Sequence, residues 1–189
     1  LSSNIGVSYM VDHFYHNNPE RFVKGIWRTG INDPNISIPI EGHARPSIRM
    51  PERYPNGHWK NWSKTALLWM SIGYETQIPP IYTLTFYNAI ANNGRMMQPR
   101  FVKATVKNGD TLTAYPPQVV KGREQIASEK TIKIMQDLLH RVVINGTGKK
   151  ANSPNFWVCG KTGTAMIAKN GSYKGAPNHL LSFAGWFGE

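Results

Sequence analysis

An apolar, β-leaning run from Phe156 to Ala168 is broken at its centre by Lys161-Thr162-Gly163-Thr164. A strand has no need of a lysine, a glycine and two threonines at its middle unless something approaches it there. Glycine inside a strand lets another backbone or a ligand come close. The lysine adds positive charge, and the hydroxyls add donors for an anionic group. A second apolar run, Leu180 to Phe187, follows a loop containing Asn170-Gly171, and the two runs are predicted to pair antiparallel. Two strands alone are marginal in water, so this pair has to join a larger sheet or pack heavily on helices. The plainer reading of Lys161 is a charge that protects an edge strand from aggregation.

The first half of the chain reads as mostly helical. Leu1 to Asn17 predicts a helix. Val7, Met10, Val11, Phe14 and Tyr15 recur at helical spacing behind the cap-type residues Ser2, Ser3 and Asn4. Pro19 suits the first turn of a second, short helix carrying Phe22, Val23, Ile26 and Trp27 and stopped near Gly30. From 31 to 65 the density of proline and glycine breaks regular elements and predicts a long irregular excursion. An apolar stretch, Thr65 to Gly73, leads to a turn at Glu75. Pro79-Pro80 then opens a helix that Asn92-Asn93-Gly94 stops. Asn108-Gly109 marks a hairpin between Phe101–Lys107 and Thr111–Tyr115. Ser128 can cap a helix whose apolar face is Ile132, Met135, Leu138, Leu139, Val142 and Val143, ended by Asn145-Gly146. These elements give an α+β fold, with helices packed on an antiparallel sheet.

Size and charge narrow the function classes. With 189 residues, of which 40% are hydrophobic, one ordinary domain with a real core is expected. No stretch approaches the roughly 20 apolar residues of a membrane span. One cysteine excludes an internal disulfide. The net charge of +11 suits a setting rich in anionic polymers. Its cations are dispersed, with Arg45, Arg49 and Arg53 and the pair Lys149-Lys150 as the nearest clusters. No nucleic-acid motif accompanies them, and nucleic acid is not expected as a partner.

Three further groups invite chemistry. Asp12, His13 and His16 could hold a metal on one helical face, but no further ligand is evident, and no metal or cofactor is expected. Cys159 shares a strand face with Lys161 by alternation and reads as a small core residue before it reads as a catalytic thiol. Glu75 could serve a hydrolase, although its turn position favours a structural hydrogen bond. Ser2-Ser3-Asn4 alone is a plain helix cap.

Ser2-x-Asn4 at a helix start and Lys161-Thr162-Gly163 on a later strand together resemble two of the three signature motifs of penicillin-binding proteins and serine β-lactamases. Trp69 to Tyr74, Thr83 to Gly94, Pro99-Arg100-Phe101-Val102 and Ser182 to Phe187 narrow the resemblance to class B penicillin-binding proteins, most like the septal transpeptidases of cell division. The family's nucleophile lies in Ser-x-x-Lys, upstream of Ser-x-Asn. No serine here has lysine three positions on. The resemblance therefore implies that residues 1–189 are a partial transpeptidase domain. The missing parts would be the N-terminal Ser-x-x-Lys portion and the last strand and helix. A chain that opens on Leu1 and closes at Glu189, directly after an apolar strand, is expected to be an internal piece.

The implied chemistry is acyl transfer. A serine outside this chain would attack the penultimate bond of a peptidoglycan stem peptide ending in D-Ala-D-Ala. Ser2 would relay a proton, Asn4 would orient the substrate amide, and Lys161 would keep the site positive. Thr162 and Thr164 would bond the terminal carboxylate beside Gly163. The Thr164 N–H would serve the oxyanion hole together with that of the missing serine. β-Lactam antibiotics would trap the same site. The resemblance places the parent in the inner membrane, with its catalytic domain extracytoplasmic (periplasmic) and divisome membrane proteins as partners. The rival readings are a β-lactamase or D,D-carboxypeptidase of the same superfamily and a non-catalytic β-lactam sensor.

Overall fold

A computed structural model of the chain describes residues 3–167 and 178–188. Ser2, Ala168 and the expected Asn170-Gly171 loop lie outside the described residues. The chain divides into two compact units, residues 3–128 and the described part of 129–189. Each buries its own apolar residues.

The first unit opens with helix α1, Asn4–Tyr15, whose N-cap Ser3 accepts a hydrogen bond from the Gly6 N–H at 3.1 Å. Helix α2, Pro19–Arg28, starts with proline at its first turn and with the Asn18 side chain accepting from the Arg21 N–H. Both starts satisfy amide groups that a helix end leaves without an internal partner. The apolar stripe expected on α1 is only half turned inward. Val11 and Tyr15 pack on the core, whereas Met10 and Phe14 are exposed. The side facing helix α3, Ala66–Ser71, is partly polar. Ser8 Oγ donates to the Leu68 carbonyl at 3.3 Å and lies 3.1 Å from Ser71 Oγ.

The proline-rich stretch is irregular, as expected, yet it is anchored. Strand β1, Ser47–Ile48, pairs antiparallel with β4, Thr76–Gln77, and β2, Glu52–Arg53, pairs with β3, Trp59–Lys60. Ile36, Ile38, Ile48 and Trp62 from this stretch are buried in two apolar clusters. One cluster centres on Val23, Leu67 and Met70. The other centres on Tyr82 and Ala89 of helix α4, Pro80–Ala91, with Met96 and Val120. Burying one such aliphatic side chain contributes about 1.5–3 kcal/mol.

The arginines that came nearest to a cluster in the sequence have partners within the chain. Arg49 bonds Glu75 and sits 5.5 Å from the Trp62 ring centroid. Arg53 stacks 3.5 Å from the Trp59 centroid and donates to the Gly57 carbonyl. Arg45 donates to the Pro34 carbonyl at 3.5 Å. Glu75 therefore has the structural role that its turn position suggested, with a φ of 61°. Strands β5, Ala104–Lys107, and β6, Asp110–Ala114, form the expected hairpin. Asn108 and Gly109 both have positive φ, as a tight two-residue turn demands.

The second unit is helix α5, Glu129–Ile144, a 3-10 turn at Lys149–Ala151, and strands β7, Trp157–Met166, and β8, His179–Gly188. The strands pair antiparallel over their full lengths, from Trp157 opposite Gly188 to Met166 opposite His179. Ile132, Leu139, Val142 and Val143 of α5 are buried, and so is Cys159 of β7. The strand pair is thus supported by a helix, as an isolated pair requires. Among the described residues no helix is long and apolar enough to cross a membrane.

Candidate functional site

The Lys161–Thr164 segment stands in the middle of β7 and is held from both sides. Alternation puts Trp157, Cys159 and Lys161 on one side of the strand. There, the His140 ring lies 5.1 Å from that of Trp157, and the Cys159 thiol donates to the Gln136 carbonyl at 3.8 Å. The His140 Nδ1–H donates to the Val158 carbonyl at 2.9 Å, which fixes β7 along α5. On the other side Gly160 leaves room for the Phe183 ring of β8, which lies where a side chain at 160 would have to go. At Gly163 the corresponding space is taken by the Ser182 hydroxyl. Gly160 is thus closely approached, as the sequence suggested, by the Phe183 ring and the Ala184 carbonyl of β8, whereas at Gly163 the neighbour is a hydroxyl that can rotate away.

Lys161 is half-buried. Its ammonium donates to the Thr162 carbonyl at 2.8 Å and, more weakly, to Thr162 Oγ1 at 3.4 Å. Among the described residues no carboxylate pairs with it. Thr164 is exposed. A cavity of about 530 Å³ opens beside the strand, lined by Thr147, Gly148, Lys149, Lys150, Ala151, Thr162 and Phe183. Among the described residues its lining includes two lysines and no acid. Thr147, which follows the Asn145-Gly146 helix stop, carries no sequence signal of its own. In the structure its hydroxyl lies 2.8 Å from that of Thr162.

The two expected halves of the site fall in different units. Asn4 opens α1 in the first unit with its side chain exposed, and Lys161–Thr164 belong to the second. Ser2 is outside the described residues. Ser3 makes the helix cap that the plain reading assigned to this stretch. Of the metal candidates, His16 Nδ1 and Asp12 Oδ1 make an exposed contact at 3.0 Å one turn apart, while His13 stacks on Tyr9. Among the described residues no three His, Cys, Asp or Glu side chains gather as a metal site.

Cys159 behaves as a core residue. It is fully buried, and burial pushes its thiol up from about 9 to about 11. A neutral, covered thiol is a poor nucleophile. At pH 8 a thiol reagent should therefore modify Cys159 only as fast as the segment opens. Mass-spectrometric mapping should show little adduct in native buffer and complete adduct in denaturant. The sign of the shift sets the pH trend. The folded state holds the thiol proton more tightly, so this stabilisation is full below pH 9 and is lost as the pH rises through 11.

A helix-backed strand pair that carries Lys-Thr-Gly-Thr, within an α+β fold, is the kind of element in which penicillin-binding proteins and serine β-lactamases have their Lys-Thr-Gly motif. The chain belongs to the penicillin binding protein transpeptidase domain family, whose model matches residues 8–189. That span contains Lys161–Thr164 and begins after Ser2 and Asn4. Penicillin-binding protein PbpB of Mycobacterium tuberculosis is 31% identical over 173 residues, 87% of this chain and 23% of that protein. The TP domain of penicillin-binding protein 3 from Burkholderia pseudomallei has the same fold. Its TM-score is 0.68 at 24% identity, over 97% of this chain and 48% of that one. Penicillin-binding protein 3 of M. tuberculosis in complex with ampicillin aligns with a TM-score of 0.62 at 25% identity, over 89% of this chain and 36% of that one. The chain spans less than a quarter of the length of the curated relatives it matches.

Proposed function

We propose that residues 1–189 are the substrate-holding part of a peptidoglycan D,D-transpeptidase domain, with the nucleophilic serine elsewhere in the parent protein. The observation that carries this reading is Lys161-Thr162-Gly163-Thr164 at mid-strand, with an ammonium that no carboxylate among the described residues neutralises. The substrate is a stem peptide ending in D-Ala-D-Ala. Its terminal carboxylate is held by the Thr162 and Thr164 hydroxyls and drawn in by Lys161 and the lysine-lined cavity. Backbone pairing along β7 orients the peptide, as in other strand-addition complexes. Ser2 carries a proton toward the leaving amine, and Asn4 orients the substrate amide. A second stem amine then resolves the acyl-enzyme into a crosslink.

β-Lactams occupy the same site, a reading supported by the ampicillin complex of the M. tuberculosis relative. The cell-division character, the inner-membrane anchor with an extracytoplasmic catalytic domain, and the membrane partners of the divisome follow from the resemblance to septal transpeptidases. The absence of Ser-x-x-Lys leaves residues 1–189 inactive by themselves.

The test is covalent labelling of the intact protein by a fluorescent penicillin. The adduct should persist for hours and map to a serine outside residues 1–189. An adduct on a serine within this chain would overturn the assignment of the nucleophile. Release within seconds would replace the transpeptidase by a hydrolase.

A further inference from the structure

We propose that Thr147 is a positioning residue for carboxylate binding, acting through Thr162. The inference rests on the reading of β7 as the carboxylate-binding strand and goes beyond it by adding a residue that no signature motif contains.

The geometry starts at the end of α5. The N–H groups of Gly146 and Gly148 both donate to the Val142 carbonyl, at 3.1 and 3.0 Å. Side chains cannot be added at either position without a shift. A Cβ at Gly146 would stand 2.8 Å from the Val142 carbonyl oxygen, and one at Gly148 would stand 3.2 Å from it. Thr147 is therefore carried on a turn clamped to the same helix that holds β7 through His140 and Cys159. With α5 as their common support, the Thr147 and Thr162 hydroxyls meet at 2.8 Å.

Counting donors then sets the direction of the bond. A threonine hydroxyl has one hydrogen and two lone pairs. The Lys161 ammonium, which can only donate, points at one lone pair of Thr162. A carboxylate, which can only accept, needs the Thr162 hydrogen. Thr147 must then donate into the second lone pair. The ordered chain runs from Lys161 and Thr147 into Thr162 Oγ1, and from Thr162 O–H to the carboxylate. Such a chain polarises each member and strengthens the last bond. Without the anion, the reverse direction, Thr162 donating to Thr147, is equally open. A bound carboxylate selects the productive polarity.

The test uses the intact protein and two probes, benzylpenicillin and its methyl ester, with the acylation rate constant as readout. Thr147→Val keeps the side-chain shape and removes the donor. It should slow acylation by the free acid up to about tenfold, the upper end for one neutral hydrogen bond. With the ester, which lacks the negative charge, it should change little. Thr147→Ser should restore most of the rate. Thr162→Val should lose at least as much, and adding Thr147→Val to it should cost nothing further, because the two act as one unit. Equal losses with acid and ester, or additive losses in the double variant, would overturn the proposal. If Thr162→Val slows acylation and Thr147→Val does not, Thr147 has no positioning role while the binding strand stands. If Thr162→Val is itself silent, the carboxylate-binding reading of β7 falls and Thr147 with it.

Discussion

Replacing Lys161 with alanine in the intact protein should slow penicillin acylation about 100- to 1,000-fold, the loss typical of removing one preorganised electrostatic donor from an acyl-transfer site. The fold should hardly register the change. Among the described residues Lys161 donates to the Thr162 carbonyl and hydroxyl, groups that water can also satisfy, and none of their carboxylates is orphaned when it leaves. The melting temperature should stay within about 4 °C of the parent, a shift equivalent to about 1 kcal/mol or less. Arginine should not substitute well, because its planar fork has neither the size nor the single-point geometry of an ammonium. Stopped-flow acylation with a fluorescent penicillin measures the rate, and circular dichroism checks the fold. A loss below about tenfold would remove Lys161 from the site.

Local chemistry was legible in the sequence, and long-range chemistry was not. Pro19 and Pro80 start helices because a missing N–H costs nothing in a first turn. Asn93-Gly94 and Asn108-Gly109 adopt the positive φ that these residue types tolerate. Cys159 and Lys161 sit two apart on a strand because the period is two. In contrast, Ile36, Ile38, Ile48 and Trp62 are buried in a stretch with no period to reveal them. Asp33, 5% exposed, is paired with Arg123 from 90 residues away, and no spacing rule connects them. Met10 and Phe14 show the converse. Their spacing fits a helix face, but the face packed on α3 runs through Ser8. Thr147 was hidden because it lies just past the Asn145-Gly146 stop, and nothing local says which strand its hydroxyl will meet.

The strongest constraint on the site is a pair of glycines facing each other one residue before the lysine. Gly160 of β7 lies opposite Gly185 of β8. A methyl group at 185 would fall inside the van der Waals envelope of the Cys159 carbonyl oxygen, 2.9 Å from Gly160 Cα and 3.0 Å from the Phe183 ring. The first two obstacles are backbone, so no rotamer change relieves them. Neighbouring strands sit about 4.8 Å apart, and that spacing would have to widen here. Gly185→Ala should therefore destabilise the strand pair by roughly 3 kcal/mol, at the upper end of overpacking. Native-state hydrogen exchange would report this as about 100-fold faster opening of β7 amides, since each 1.4 kcal/mol is a factor of ten. Gly188→Ala is the control on the same strand. A methyl there meets nothing within 4 Å and should leave exchange unchanged. Because widening at Gly160 moves Lys161 as well, Gly185→Ala should also lose acylation in proportion to the strand opening. Normal exchange with normal acylation in this variant would show that the glycine pair is not what sets the position of the lysine.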